Sequence, residues 1–133
     1  MPKITLTKEE SEKYFYNSLC NGLSQMSGYG LEYDFKDTDY IQAKKSLLKN
    51  EKQSNGLCIE DVLMEILRNG KKITFNDIEG EGEYTKSITL EDVHNKVILT
   101  PMVHLINMIE ENDDADTADV ILQTVFFGKV IFG

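Results

Sequence analysis

The sequence contains no tryptophan, only two prolines and two cysteines, and a single arginine, Arg68, beside thirteen lysines. Without tryptophan, the core must be built from Ile, Leu, Val, Phe and Tyr. One arginine weakens any mechanism that needs planar, bidentate guanidinium forks for carboxylate or phosphate recognition. No apolar run approaches the roughly 18 residues of a membrane span. The N-terminal MPKITLTKEESEKY turns charged before a signal-like apolar stretch develops. Cys20 and Cys58 form neither a CxxC pair nor a disulfide framework. Both fall in apolar helical patterns, so two free, buried thiols in a reducing compartment are expected, with the cytoplasm as the location.

A length of 133 residues fits one domain, residues 1–133, able to bury a core without metal or disulfide staples. Hydrophobic residues at 41% and charged residues at 28% argue against global disorder. The charge is unevenly spread. Residues 1–72 hold 11 basic and 11 acidic side chains, whereas residues 73–133 hold 3 basic and 12 acidic, which accounts for the whole net charge of −9. Direct nucleic-acid binding conflicts with that balance, because phosphate contact needs a basic surface. Tyr14, Phe15 and Tyr16 are read as one core aromatic flanked by two tyrosines and not as a base-stacking platform.

The expected elements alternate irregularly. Thr7 and Glu10 have capping-box spacing and open a helix to about Gln25. Leu31, Tyr33 and Phe35 alternate with charged residues as a half-buried strand. Asp37 or Thr38 caps a second helix with Tyr40, Ala43, Leu47 and Leu48 on one face. Residues 49–56 (KNEKQSNG) read as an exposed loop. A third helix, about 59–68, carries Ile59, Val62, Leu63, Ile66 and Leu67 on one stripe, the most regular in the chain, and stops at Asn69-Gly70.

Residues 73–90 read as a β-hairpin whose tip, Glu79-Gly80-Glu81-Gly82-Glu83, lies in solvent. Two short helices follow around Pro101, the second with Met102, Leu105, Ile106 and Ile109 facing inward. After the acidic run 110–116, Asp116 and Asp119 are expected to cap a last helix that Gly128 stops. Residues 129–132 read as a possible closing strand. The fold class is therefore α+β: a mostly helical domain of five or six helices with a small antiparallel sheet built around the hairpin.

Catalytic and metal motifs fail on their spacing. Gly80-Glu81-Gly82 lacks the third glycine of a dinucleotide fingerprint and is surrounded by carboxylates that repel anions. The pairs Gly70-Lys71 and Gly128-Lys129 lack the upstream glycine of a P-loop. Aligning Asn112, Asp114 and Asp116 with a calcium loop puts Thr117 where glycine is required and Gln123 where a bidentate carboxylate is required. Neither His94 nor His104 has a cysteine nearby in sequence, and nothing local activates either thiol. No metal and no cofactor is expected, and no enzymatic activity.

What remains is the acid. Asp77, Glu79, Glu81 and Glu83 form one array, and Glu110, Glu111, Asp113, Asp114, Asp116 and Asp119 form a second. Brought together, they would suit a basic protein partner, with association steered by charge. A solubilising surface is the plainer reading. The stretches DADTADVILQTVFFGKVIFG and ITFNDIEGEGEYTKSITLEDV resemble segments of small uncharacterised proteins of gut bacteria and their phages. That resemblance covers about the last half of the chain. It implies a phage or mobile-element accessory protein, including inhibitors of host systems, but no site. The functional expectation is a non-enzymatic acidic module that inhibits or adapts a basic, nucleic-acid-binding host protein. The alternatives are a small virion or scaffold component and a small carboxylate-using enzyme.

Overall fold

Residues 117–126 of the last helix are all buried, ten in succession. No other element is so enclosed, and the rest of the chain is arranged around it. The computed structural model describes residues 4–49, 58–112 and 114–133. Its elements are α1 (Lys8–Gly28), β1 (Leu31–Asp34), α2 (Asp37–Lys49), α3 (Ile59–Arg68), β2 (Ile73–Asp77), β3 (Lys86–Ile88), α4 (Leu90–Lys96), a 3-10 turn (Val97–Leu99), α5 (Met102–Ile109) and α6 (Ala115–Phe127). The fold is a single α+β domain, with six α-helices and a three-stranded antiparallel sheet of order β1-β2-β3 among the described residues. The loop expected at residues 49–56 lies outside the described residues beyond Lys49. Among the described residues, no helix is long and apolar enough to cross a membrane.

Local sequence explains most boundaries. Thr7 accepts a hydrogen bond from Glu10 N while the Glu10 carboxylate accepts one from Thr7 N, closing the capping box at the start of α1. The helix runs through Gly28, three residues beyond its expected end. Helix α3 has the expected bounds, and Gly70, at φ +81°, lets Lys71 N reach back to the Ile66 carbonyl. Its stripe Val62, Leu63, Ile66 and Leu67 is buried, as the periodicity required. Helix α6 starts on Asp114, whose carboxylate accepts from Thr117 N, not on Asp116 or Asp119; it ends on Gly128 at φ +79°.

Helix α6 lies between α1 and the sheet. Phe126 meets Phe15 of α1 with ring centroids 6.4 Å apart and Phe75 of β2 at 4.1 Å. The sheet has Ile73 opposite Ile88, Phe75 opposite Lys86 and Leu31 opposite Asp77. The hairpin is therefore real. Its connection is longer than expected, running through residues 78–85, and Ile78 and Tyr84 leave the apolar alternation for the surface.

Four further expectations are corrected. Residues 129–132 form no strand. The side chain of buried Gln123 takes the place of a neighbouring strand, its Oε1 accepting from Ile131 N and Phe132 N, both at 2.8 Å, while its Nε2 donates to Phe132 O at 3.2 Å. In α5 only Leu105 and Met108 are buried; Met102, Ile106 and Ile109, expected inside, are exposed because α6 covers the opposite side of that short helix. Leu48 of α2 is likewise exposed. Cys20 and Cys58 are free but exposed, not buried: Cys58 is the residue before α3 begins, and Cys20 lies off the buried stripe of α1.

Candidate functional site

Glu79 of the hairpin tip and Asp119 at the start of α6 are brought to one corner of the molecule, on either side of an aromatic cluster. Tyr29 stacks on Phe132 with centroids 5.0 Å apart, and Tyr84 meets Phe132 edge-on at 5.2 Å. On one side, the Glu79 side chain lies over Gly30, where a β-carbon would stand 2.8 Å from it. On the other, the Tyr29 hydroxyl donates to Asp119 Oδ2 at 2.6 Å. That hydrogen bond, followed by burial and by the charges of Asp119 and Asp116, pushes the Tyr29 phenol up to about 12. Residues 29 and 30 thus join the hairpin tip to the start of α6. Farther along the same loop, burial and then the charges of Glu10 and Glu111 raise the Tyr14 phenol in the middle of α1.

The ten carboxylates marked by the sequence do not share one role. Asp77 is buried, with both oxygens engaged: Oδ1 accepts from Gly80 N at 2.6 Å and Oδ2 from Tyr84 N at 3.0 Å. It builds the turn that presents the others. Asp119 is buried too, held by Tyr29 and by Gln123 Nε2 at 2.8 Å. Asp114 is exposed but caps α6, and the backbone hydrogen bond from Thr117 chiefly holds its carboxyl below the usual range. Asp113 lies outside the described residues. Glu79, Glu81, Glu83, Glu110, Glu111 and Asp116 are exposed, and no ion pair among the described residues engages them. Glu81 and Glu111, one in each stretch, adopt positive φ of 56° and 59°, a conformation that costs a side-chain-bearing residue about 1 kcal/mol.

The neutral N-terminal half balances this at the other end of the sheet. Leu31 pairs with Asp77 at the acidic end, and Asp34 pairs with Thr74 at the other. There Lys36, Lys71 and Lys72 line an open cleft of about 380 Å³ with Thr38, Asp39 and Thr89. A second cleft, of about 420 Å³, is lined by Leu23, Ser27, Leu31, Glu32, Tyr33 and Phe75. Neither set of lining residues contains a nucleophile paired with a base.

Two clusters that sequence spacing does not reveal stand apart from the acidic end. Tyr16 donates to Asp61 Oδ1 at 2.9 Å, and the Cys58 thiol donates to Asp61 Oδ2 at 3.0 Å. The bond to Asp61 and then burial push the Cys58 thiol up. Burial chiefly raises Cys20, against a hydrogen bond with Tyr16. Both thiols therefore stay protonated at neutral pH, unlike an activated nucleophile. The second cluster joins three helices: Glu12 of α1 bonds His94 Nε2 of α4 at 2.8 Å and Arg68 Nε of α3 at 3.2 Å. Burial pushes the Glu12 carboxyl up, but those two partners outweigh it and hold it below its usual range. His104 bonds Thr117 Oγ1 at 3.1 Å. No group of three or more His, Cys, Asp or Glu side chains among the described residues is arranged to hold a metal ion.

The chain matches no protein-family model, no curated protein and no solved structure.

Proposed function

We propose that this protein is a non-enzymatic binding module whose acidic end engages a basic protein surface. The observation that carries this reading is that Glu79 of one acidic stretch and Asp119 of the other, remote in sequence, meet the same Tyr29-Gly30 corner beside Tyr84 and Phe132. Like charges close together in each stretch repel one another, no ion pair among the described residues engages the six exposed carboxylates, and two glutamates sit in a backbone conformation that glycine adopts at lower cost. Lysines or arginines on a partner would relieve that repulsion, and exposed aromatic edges beside the charges supply apolar contact. With the resemblance of the C-terminal half to small uncharacterised proteins of gut bacteria and their phages, the target is a basic, nucleic-acid-binding host protein, inhibited or adapted through occupation of its phosphate-binding surface.

The test compares capture from host lysate at low and high salt by the wild type and by two variants. One variant carries Glu79→Gln, Glu81→Gln and Glu83→Gln; the other carries Glu110→Gln, Glu111→Gln and Asp116→Asn. Basic proteins retained at low salt, released by high salt and lost in the variants support the reading. Equal capture by all three proteins at both salt concentrations defeats it. A second reading, a small structural or assembly component, is favoured by a separate observation, the exposed apolar face of α5.

A further inference from the structure

Residues 97–109 (VILTPMVHLINMI) contain no Asp, Glu, Lys or Arg, in a chain that is 28% charged. Within this stretch Leu99, Met102, Val103, Ile106 and Ile109 are exposed by 59, 51, 63, 39 and 39%. At 100° per residue, the four that lie on α5 occupy one arc of roughly 120°. The other side of the helix is committed inward, through buried Leu105 and Met108 and through His104 and Asn107, which both bond Thr117. The exposed arc is on the order of 400 Å², the scale at which a contiguous apolar patch on a globular chain marks an interaction surface.

We infer that a second copy of this chain covers this face, the two α5 helices packing antiparallel about a twofold axis near Ile106. Charge favours that occupant, and the area suits a weak, concentration-dependent pair. Two such patches remove on the order of 800 Å² of apolar surface, and with a polar rim they approach the roughly 1,200 Å² at which stable interfaces begin. The ends of α5 are electrostatically mismatched in one copy. Its N-terminus has no side-chain cap and no acid in the first turn; its C-terminus has no basic residue in the last turn and is followed directly by exposed Glu110 and Glu111. An antiparallel pair repairs both mismatches at once. The helix is about 12 Å long, so each copy's Glu110 and Glu111 arrive at the other's uncapped N-terminus, where free N–H groups and the helix dipole favour carboxylates. A parallel pair would instead crowd four glutamates together. Symmetry closes the assembly at two copies, because the same patch serves both sides.

This pairing engages Glu110 and Glu111, which the basic-partner reading also uses, but leaves the hairpin tip exposed, so the Glu79, Glu81 and Glu83 variant tests that reading separately from the pairing. The experiment is mass measurement by light scattering from about 1 µM to about 500 µM. The expected result is a shift from 15.2 kDa toward twice that mass. Val103→Asp with Ile106→Asp, both at exposed positions, should hold the protein at the single-copy mass with an unchanged circular dichroism spectrum. In a background with Cys20→Ser and Cys58→Ser, Ile106→Cys should form a covalent dimer on mild oxidation and Ile41→Cys on exposed α2 should not. A single-copy mass throughout the range, a dimer that survives the double aspartate variant, or growth into large open assemblies would each overturn the inference.

Discussion

Gly22 of α1 lies directly against α6: a β-carbon placed on it would stand 2.9 Å from Leu122 Cδ1 and 3.2 Å from Ala118 Cβ. Glycine within a helix ordinarily weakens it by about 1 kcal/mol relative to alanine. Here that weakness is exchanged for close approach of the two longest-contacting helices. Gly22→Val should therefore destabilise the fold by about 2–3 kcal/mol through overpacking, despite removing a glycine. Urea unfolding would show a lower midpoint with an unchanged slope. A variant as stable as the wild type would mean that α1 and α6 can separate without loss.

Gln123 is the second point on which the core depends. Replacing it with Met keeps length and removes the acceptor for Ile131 N and Phe132 N and a donor to Asp119. We expect a loss of about 1–3 kcal/mol, the cost of leaving partly buried backbone groups without their partner, and faster hydrogen exchange at Ile131 and Phe132. Slow exchange retained at both amides would show that another group holds the C-terminal segment.

These two positions also mark where sequence reading reached its limit. The capping box, the α3 stripe, the hairpin and the Gly128 stop are local patterns, and all were legible. The centrality of α6 was not, because its stretch carries Thr117, Asp119, Gln123 and Thr124, polar residues that periodicity assigns to a surface. Each is instead paired within the core, Thr124 with the Val120 carbonyl and Thr117 with His104. The inward set assigned to α5 failed for the converse reason: its polar residues His104 and Asn107 face α6 and bond Thr117, so the apolar stripe of the sequence points to the uncovered side. For the candidate site, exposure of the acids was legible, but the inward turn of Asp77 and Asp119 was not. Both depend on contacts with backbone or tyrosine that no spacing encodes.

The hydrogen bond from Tyr29 to Asp119 gives a pH signature. The folded protein keeps this phenol protonated to about 12, whereas an unfolded tyrosine ionises near 10. Its contribution to stability is fully present below about 10 and is lost as pH rises through about 12. Tyr16, raised first by burial and then by its bond to Asp61, adds a loss in the same direction. Tyr29→Phe should thus cost about 1 kcal/mol near neutrality and reduce, without abolishing, the fall in urea midpoint between about pH 10 and pH 12. An unaltered alkaline slope in the variant would assign that fall to other groups.

The hairpin carboxylates should divide sharply between architecture and surface. Asp77 accepts two backbone hydrogen bonds within the turn and is buried, while Glu79, Glu81 and Glu83 point outward. Gly80 packs against the Asp77 carboxylate so closely that no β-carbon fits between them. Asp77→Ala leaves the amides of Gly80 and Tyr84 without their acceptor and should cost about 1–3 kcal/mol. Removing one charge at Glu81 behaves differently, because that residue stands at φ 56° and its side chain is in solvent. Glu81→Gly should stabilise the turn by up to about 1 kcal/mol, since glycine relieves the left-handed strain. Glu81→Gln, which keeps the strain and loses the charge, should leave stability nearly unchanged. On a basic partner, both Glu81 variants should slow association and weaken its salt dependence to a similar degree, since exposed charge acts mainly on the on-rate. Asp77→Asn keeps one acceptor and the surface charges, and should leave the salt dependence intact. Thermal unfolding combined with association rates at two salt concentrations separates the four variants. If Glu81→Gly destabilises the turn, the positive φ is not a source of strain. If Asp77→Asn alters association as much as Glu81→Gln does, the division between buried and exposed carboxylates is wrong.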